Sequence, residues 1–467
     1  MRSVKDFGAI GDGAADDAEA IQHAVREGLG QVYFPPGDYR IGRSIELDTT
    51  AYGRIGLDGA SGTAKIVMAA AGPAFLLSGS HEGTASPPSV RPEVWANERM
   101  PTIRHLEIEG AHEDADGIVL EGTMQSSIEG VLLRNLRHGI HLRRRARNVI
   151  ISHCHIYDNR GIGIFCDEVN LHQINIANCH ISYCRLSGIK INNGEIRNIQ
   201  ITGNDIEYNY DDELGEEAPQ AAEIWIDTSG ERGTVREGTI SGNTIQSRYS
   251  PGGSNVYIQG RGEGDPNQAG MLTITGNLLG SQEVNVRLEH CRAVVVSGNV
   301  IYSGHRRNIH AVGCRNVVVS GNSFDHNHGS LPRELATGIS FEDCSECSLT
   351  GSIIQDAEAG EHTVPTPVVI ERKGLVELLR CSRFTLSGCQ VLDSAEAGVY
   401  LEGGEMVSIT ACTIADQRET KKMRAAIEWV GDGGDNYLAG NILGKGREDA
   451  VQIASSAGVR VGDNLEA

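Results

Sequence analysis

Short alternating runs of apolar and polar residues fill this chain, each too short for a helix and each ended by a turn. The run RAVVVSGNVIYSG at 292–304 returns as RNVVVSGNSFDHN at 315–327, so Asn299 and Asn322 hold one slot 23 residues apart. The same frame puts Cys154, Cys179, Asn204, Asn243, Asn277, Ser352, Cys389, Cys412 and Asn441 in that slot. That makes eleven copies, at steps of 25, 25, 39, 34, 22, 23, 30, 37, 23 and 29 residues. A short floor with occasional excess marks a repeating coil that carries insertions. A second column agrees with the register: Cys291, Cys314, Cys344 and Cys381 each lie eight residues before a slot. Each period holds three short segments, as in NVRLEHC, AVVVSGN and VIYSG, here called strands A, B and C. Three strands in so short a period bury a continuous core only as a parallel β-helix. Asn, Ser and Cys exchange in the slot because each is a small residue stacked at an inward corner. Asn also tolerates the left-handed backbone that a sharp corner often requires.

The open end of such a coil is an exposed sheet edge and needs a cover. DDAEAIQHAVREGLG supplies one, with Asp16 three residues before Glu19 as a capping box and Ala20, Ile21, Ala24, Val25 and Leu29 as an apolar stripe. Gly28 and Gly30 stop the helix. The expected organisation is a cap segment at 1–45 and a β-helix over 46–467, with insertions near 210–220, 247–270, 326–336 and 356–375.

Composition narrows the partners. Abundant Gly, at 58 residues, and aromatics at only 5% suit tight turns and thin packing layers. A net charge of −21 argues against nucleic acid, whose phosphates need a basic surface. No run of 18 apolar residues is present, so nothing is expected to span a membrane. The start, MRSVKDF, lacks a basic-then-apolar signal segment. The 11 cysteines follow the repeat and read as reduced, core-facing thiols with no disulfide framework, which favours a cytoplasmic setting.

VKDFGAIGDGAADDAEAIQHAV followed by VYFPPGDYRIG resembles the N-terminal signature of the pectate-lyase-like superfamily of right-handed β-helix proteins. The resemblance covers about the first 45 residues and implies an all-β, single-domain right-handed parallel β-helix with an N-terminal capping helix. It also implies that Asp6, Asp12 and Asp38 are turn residues, raises the expectation of carbohydrate chemistry, and allows a homotrimer.

Strand A alternates inward apolar and outward polar residues. The outward rows include His141 and Arg143, then Gly163, Phe165 and Asp167, then Lys190 and Asn192, then Glu223, Trp225 and Asp227. Tyr257 and Gln259, then Arg287 and Glu289, His310, and Ser340 with Glu342 follow. The insertions YDDELGEEAPQ, SRYSPGGS and GRGEGDPNQAG would wall this face between about residues 165 and 290. An outward Trp beside carboxylates suits a sugar, whose C–H face stacks on indole. Glu223 and Asp227 therefore stand as candidate acid and base, with Asp167 or Glu289 on a neighbouring coil as the better-spaced second carboxylate. Lys190 and Arg287 are the charge partners, Trp225 and Tyr257 the platforms, and His141 a further substrate contact. The opposing reading is a solvated polar strand whose charges pair from coil to coil.

His155, His180 and Asp205 share one outward position of strand C, an arrangement competent to hold a metal but more often a stack of surface side chains. A weaker groove at 326–375 would involve Glu342, His362 and Glu371, although its loop EHTVPTPVV would equally suit an inter-subunit contact.

The Asn-Thr-Asp, Gly-His-Gly and Arg-Ile-Lys marks of polygalacturonase-type hydrolases are absent, as is the Arg-x-Pro-x-x-Arg element of pectate lyases. The coils around 285–322 also look like those of inulin fructotransferases. A carboxylate-rich groove favours a glycoside hydrolase or an intramolecular glycosyl transferase on a poly- or oligosaccharide, without a cofactor. The runner-up is a polysaccharide lyase using Lys190 or Arg287, with Ca²⁺ as an option. A third reading is a non-catalytic, tailspike-like glycan adhesin.

Overall fold

The computed structural model describes residues 2–28, 30–84, 86–262, 269–327, 337–356 and 372–467. Two compact units result, Met1–Thr239 and Ile240–Ala467. In each, three strands per coil pair with their equivalents in the next coil, in parallel and in register. In the first unit strand A aligns His141, Phe165, Lys190 and Trp225, strand B aligns Ile150, Asn175 and Gln200, and strand C aligns His155, His180 and Asp205. In the second unit strand A aligns Tyr257, Arg287, His310 and Ser340. Parallel pairing follows because every strand returns only after a full turn of the coil.

Inward positions stack like on like. Ile118, Ile140, Ile164, Ile189 and Ile224 form one fully buried column. Each such side chain contributes roughly 1.5–3 kcal/mol by leaving water.

The slot residues are buried at every copy. Asn277 donates from its backbone N and from Nδ2 to Asn299 Oδ1, at 2.9 and 3.0 Å. Asn299 does the same to Asn322, whose own N–H reaches Ser352 Oγ at 3.2 Å. Near the C-terminus Cys412 donates to Asn441 and Asn441 to Asn464, so Asn464 is a further member that the repeat frame missed. The side chain thus supplies the acceptor that a corner N–H loses where the ladder breaks.

The left-handed backbone does not sit at the slot. It lies one residue earlier, at Gly203, Gly242, Gly276, Gly298, Gly321, Gly351, Gly388 and Gly440, with φ between 57° and 71°. His153, Asn178 and Ala411 take that conformation in the remaining coils. Asn is in the slot for its amide, not for its backbone tolerance.

All eleven cysteines are free and buried. Cys291, Cys314 and Cys344 stack from one coil to the next, each thiol donating to a main-chain carbonyl. Burial pushes the Cys166 and Cys184 thiols up to about 12.

The cover helix is Ala18–Glu27. Its apolar face uses Ala18, Ile21, Ala24 and Val25, while Ala20 is half-buried and Leu29 lies outside the described residues. Gln22 is the telling residue: Nε2 donates to Glu46 O at 3.0 Å and Oε1 accepts from Glu46 N at 2.9 Å. A side-chain amide thereby stands in for the missing strand at the edge Ile45–Asp48. The expected capping box is absent. Asp16 Oδ1 instead accepts from Ala18 N and Gly42 N, and Glu19 pairs with Arg43 at 2.5 Å. Asp6 caps Ser3, Asp12 holds the Ala14–Ala15 turn, and Asp38 pairs with Lys65, all structural roles.

Replacing Asn299→Ala strands the Asn277 donors and the Ile274 carbonyl, and is expected to cost about 2–3 kcal/mol, read as a lowered denaturant midpoint. Asn299→Ser, the residue type found at Ser352, is expected to recover part of that loss. A thiol reagent is expected to modify none of the eleven cysteines in the native protein and all of them in denaturant.

Candidate functional site

Strand A of the first unit gathers the chemistry. One outward row runs His141, Phe165, Lys190, Trp225, and the next runs Arg143, Asp167, Asn192, Asp227. Coil stacking sets neighbours in each row about 4.8 Å apart.

His141 is only 8% exposed. Its ring stacks on Phe165, with centroids 4.9 Å apart, and its Nε2 faces Asp167 Oδ2 at 3.5 Å. His138, on the corner before this strand, meets both rings. Its Nδ1 accepts from Ile162 N at 3.1 Å, which places the proton of the neutral ring on Nε2. Burial draws His138 down to about 4 and also lowers His141, against the opposing pull of Asp116 and Asp167. Both imidazoles are neutral at pH 7. Asp116, itself buried, is clamped by Arg137 Nε and Nη2 at 2.9 and 2.5 Å and by the His138 N–H.

Asp167 Oδ1 accepts from Asn192 Nδ2 at 2.9 Å, so both of its oxygens face named groups. Asp227 Oδ1 accepts from Ser229 N and Oγ, at 2.9 and 2.6 Å. Lys190 Nζ lies 3.6 Å from the centroid of the Trp225 ring, a cation–π contact that covers one indole face. Burial lowers the Lys190 pKa, while Asp227 and Asp167 pull it back up. The assembled set is a partly desolvated amine, neutral imidazoles, an indole, and two carboxylates two coils apart, about 10 Å.

Two expected outward residues face elsewhere. Glu223 is buried, and it accepts from Asn209 N at 3.0 Å and Asn209 Nδ2 at 2.5 Å. It stands one residue before the inward Ile224, the position held in earlier coils by Gly117, Gly139, Gly163 and Gly188. A Cβ at those glycines would meet Leu133 Cδ2 at 2.5 Å and Ile156, Ile181 and Ile206 Cγ2 at 2.9 Å, all interior atoms. Here the chain is still rounding the corner, so strand alternation does not yet apply. Glu223 and Gly163 therefore belong to the inside of the coil. The signal was present in DGIVL, HGIHL, GIGIF, SGIKI and AEIWI, where Glu occupies a glycine column.

In the second unit Tyr257 is 2% exposed and offers no free face. Its hydroxyl donates to Glu289 Oε2 at 2.7 Å, and the Arg287 guanidinium lies 4.7 Å from its ring centroid. Arg287 Nε donates to Glu289 Oε1 at 2.7 Å, so these three expected substrate contacts satisfy one another. Glu342 pairs with Arg380 at 2.6 Å. His362, Glu371 and the loop EHTVPTPVV lie outside the described residues, as do 328–336 and 263–268 of the expected insertions. On strand C, His155 and His180 stack at 5.1 Å and His180 Nδ1 faces Asp205 at 3.5 Å. Among the described residues no three His, Cys, Asp or Glu converge as a metal-ligand set. Sequence reasoning missed His138 and Asp116, which flank the strand at a corner and carry no repeat mark.

Residues 1–195 match the family described as rhamnogalacturonase A/epimerase, pectate lyase-like, and residues 226–465 match the family described as periplasmic copper-binding protein (NosD). A mannuronan C5-epimerase of Azotobacter vinelandii, AlgE6, is 52% identical over 48 residues, 9% of this chain and 6% of that protein. Alginate lyase 7 of the same organism is 54% identical over 53 residues, 10% of this chain and 6% of that protein. These matches thus span a small part of either relative. A tailspike protein of E. coli bacteriophage HK620, solved with a pentasaccharide, superposes with a TM-score of 0.52 at 14% identity, covering 99% of this chain and 78% of that one. Among the described residues of 226–465 no copper-ligand set forms: the thiols are buried, and those of Cys291, Cys314 and Cys344 donate to main-chain carbonyls.

Burial draws His81, His138 and His310 to about 4 from an ordinary 6.5. A depressed folded-state value means that the fold holds the neutral ring, so this stability is complete above 6.5 and drains as pH falls toward 4. The urea midpoint is expected to drop across that window, and His138→Asn is expected to flatten part of the slope.

Proposed function

The chain belongs to the pectate-lyase-like parallel β-helix family, and from that membership we propose that it is an enzyme acting on a uronate-containing polysaccharide at the strand A face of its first unit. The observation that carries the reading is Lys190: an amine with its pKa lowered by burial, held over Trp225 beside the row that carries Asp167 and Asp227. A proton alpha to a carboxylate needs a base of this kind, and desolvation raises the share of neutral amine. The C5–H bond breaks toward the Lys190 amine. Loss of the C4 oxygen with the electron pair then gives a C4=C5 double bond, whereas a proton delivered from water to the opposite face of C5 gives the epimer, the hydroxide left behind taking the proton from the lysine ammonium. The departing oxygen takes a proton from the lysine ammonium in the first case. The neutral His141 and the Arg143 guanidinium, whose Nε already donates to Glu121 Oε1, are the groups beside Asp167 that would meet the substrate carboxylate. The epimerase and alginate lyase relatives support this class of reaction.

A second reading rests on one distance. Asp167 and Asp227 stand two coils apart, about 10 Å, close to the carboxylate separation of an inverting glycosidase. Under that reading Asp227, with one oxygen fixed by Ser229, and Asp167 share the acid and base roles on a neutral sugar.

Incubation with polyuronates is expected to yield a product absorbing near the ultraviolet edge, or C5 deuterium taken up from D2O. The absence of both across polymannuronate, polyguluronate and polygalacturonate rules the proposal out. New reducing ends on a neutral polysaccharide, lost with Asp227→Asn, would establish the second reading. Lys190→Ala is expected to lower turnover by about 10²–10⁴. Lys190→Arg is expected not to rescue it, because a guanidinium does not give up its proton. In the intact enzyme the ascending, acid-side limb of the kcat/KM profile, along which the amine loses its proton, is expected below the usual lysine value of 10.5.

A further inference from the structure

Around the corner from these rows, the outer wall of strand B in the first unit carries a different surface. A groove of about 300 Å³ is lined by Asn148, Gln173, Asn198, Asn175, Gln200 and Ile150, with Val149 at its base. Five of these are primary amides and none is charged, in a chain that is 22% Asp, Glu, Lys and Arg. Ile150, Asn175 and Gln200 are in register on successive coils and are exposed. Asn148, Gln173 and Asn198 form the adjoining row, six residues before the slots Cys154, Cys179 and Asn204, and all three have left-handed backbone, with φ of 53°, 69° and 57°.

Backbone need does not explain the amides. The residue six before the slot is left-handed in the eight later coils too, and only one of those eight, Asn316, is an amide, beside residues such as Met271, Ala293, Glu346, Arg383 and Met406. Asn175 and Gln200 lie within regular strands, where Asn is disfavoured. Neither side chain makes a hydrogen bond to the described residues, so four donor hydrogens and two carbonyl oxygens face outward at two adjoining coils. Asn148 Nδ2 donates to Gln173 Oε1, and Asn198 Nδ2 contacts His172 Nε2 at 3.4 Å, which holds the inner row in place beneath them.

We propose that this wall binds an uncharged, hydroxyl-rich glycan chain laid along the stack, apart from the strand A face. Amides offer paired donors and acceptors to sugar hydroxyls, Ile150 offers an apolar patch to a ring face, and coils about 4.8 Å apart repeat the offer along an extended chain. An anionic chain has no cation to pair with in the lining. A site for neutral sugar beside a uronate-directed face would let the protein grip a heteroglycan by its uncharged stretches.

Affinity electrophoresis of the full chain through gels containing galactomannan, xylan, β-glucan, dextran or polymannuronate tests the assignment. At least one neutral polymer is expected to retard the protein, with the apparent Kd raised about tenfold or more in the Asn175→Ala/Gln200→Ala variant. The same variant is expected to keep the retardation by polymannuronate, and any turnover of it, unchanged. Both substitutions are at exposed positions, and unaltered circular dichroism and unfolding midpoint confirm an intact coil. Failure of all four neutral polymers to retard the parent protein overturns the assignment. So does equal retardation of parent and variant, or retardation by polymannuronate alone that the variant loses. None of these outcomes depends on Lys190, so the site stands or falls separately from the proposed reaction.

Discussion

A corner that turns the chain between strands B and C leaves a backbone N–H without a ladder partner, and the fold answers with the side chain of the next coil. Asn277 and Asn299 pass this bond along at 2.9 Å each and Asn322 passes it to Ser352 at 3.2 Å, while Cys179 and Cys412 donate in the same way to Asn204 and Asn441. Each link fixes one coil against the next to within a single residue. In a parallel stack a one-residue slip would turn every outward side chain inward. The buried isoleucine columns provide most of the free energy of the coil, and they tolerate sliding far less well once the slot amides name their partners.

Register is what makes chemistry available on an otherwise uniform wall. Lys190 meets Trp225 within one row, 35 positions on in sequence, and His141 meets Asp167 across adjoining rows, 26 positions on, only because the coils stack in register. The environment then tunes these groups in one direction. Burial leaves His138 and His141 neutral and loosens the Lys190 proton, whereas the carboxylates are fixed by hydrogen bonds from Asn192 and Ser229. The same stacking produces the opposite surface on strand B, where amides replace charges. Two faces of one coil therefore present different chemistry without any change of scaffold.

The slot column, the strand period and the cover helix were all legible in the residues, because each repeats or follows a helical spacing. The outward rows at 141, 165, 190 and 225 were legible too, since alternation holds along the middle of a strand. Glu223 was not, because alternation begins only after the corner, and a glycine column is easily passed over when one member is charged. Tyr257, Arg287 and Glu289 were read as outward groups from their spacing, yet the mutual hydrogen bonds and ring contact that bury Tyr257 are invisible to spacing alone. The cover helix followed the same division: its position was readable, but the Gln22 pairing to Glu46 depends on a strand edge 24 residues away.

The most direct test of this account is a register measurement by engineered crosslinking. With Ile150→Cys and Asn175→Cys together, strands in the described register place the two thiols side by side, and mild oxidation is predicted to give a disulfide-linked pair of tryptic peptides. Ile150→Cys with Ala177→Cys, displaced two residues along the same face, is predicted to stay unlinked. Efficient linkage of the displaced pair with none in the first would contradict the alignment of coils on which the site, the amide wall and the proposed chemistry all depend.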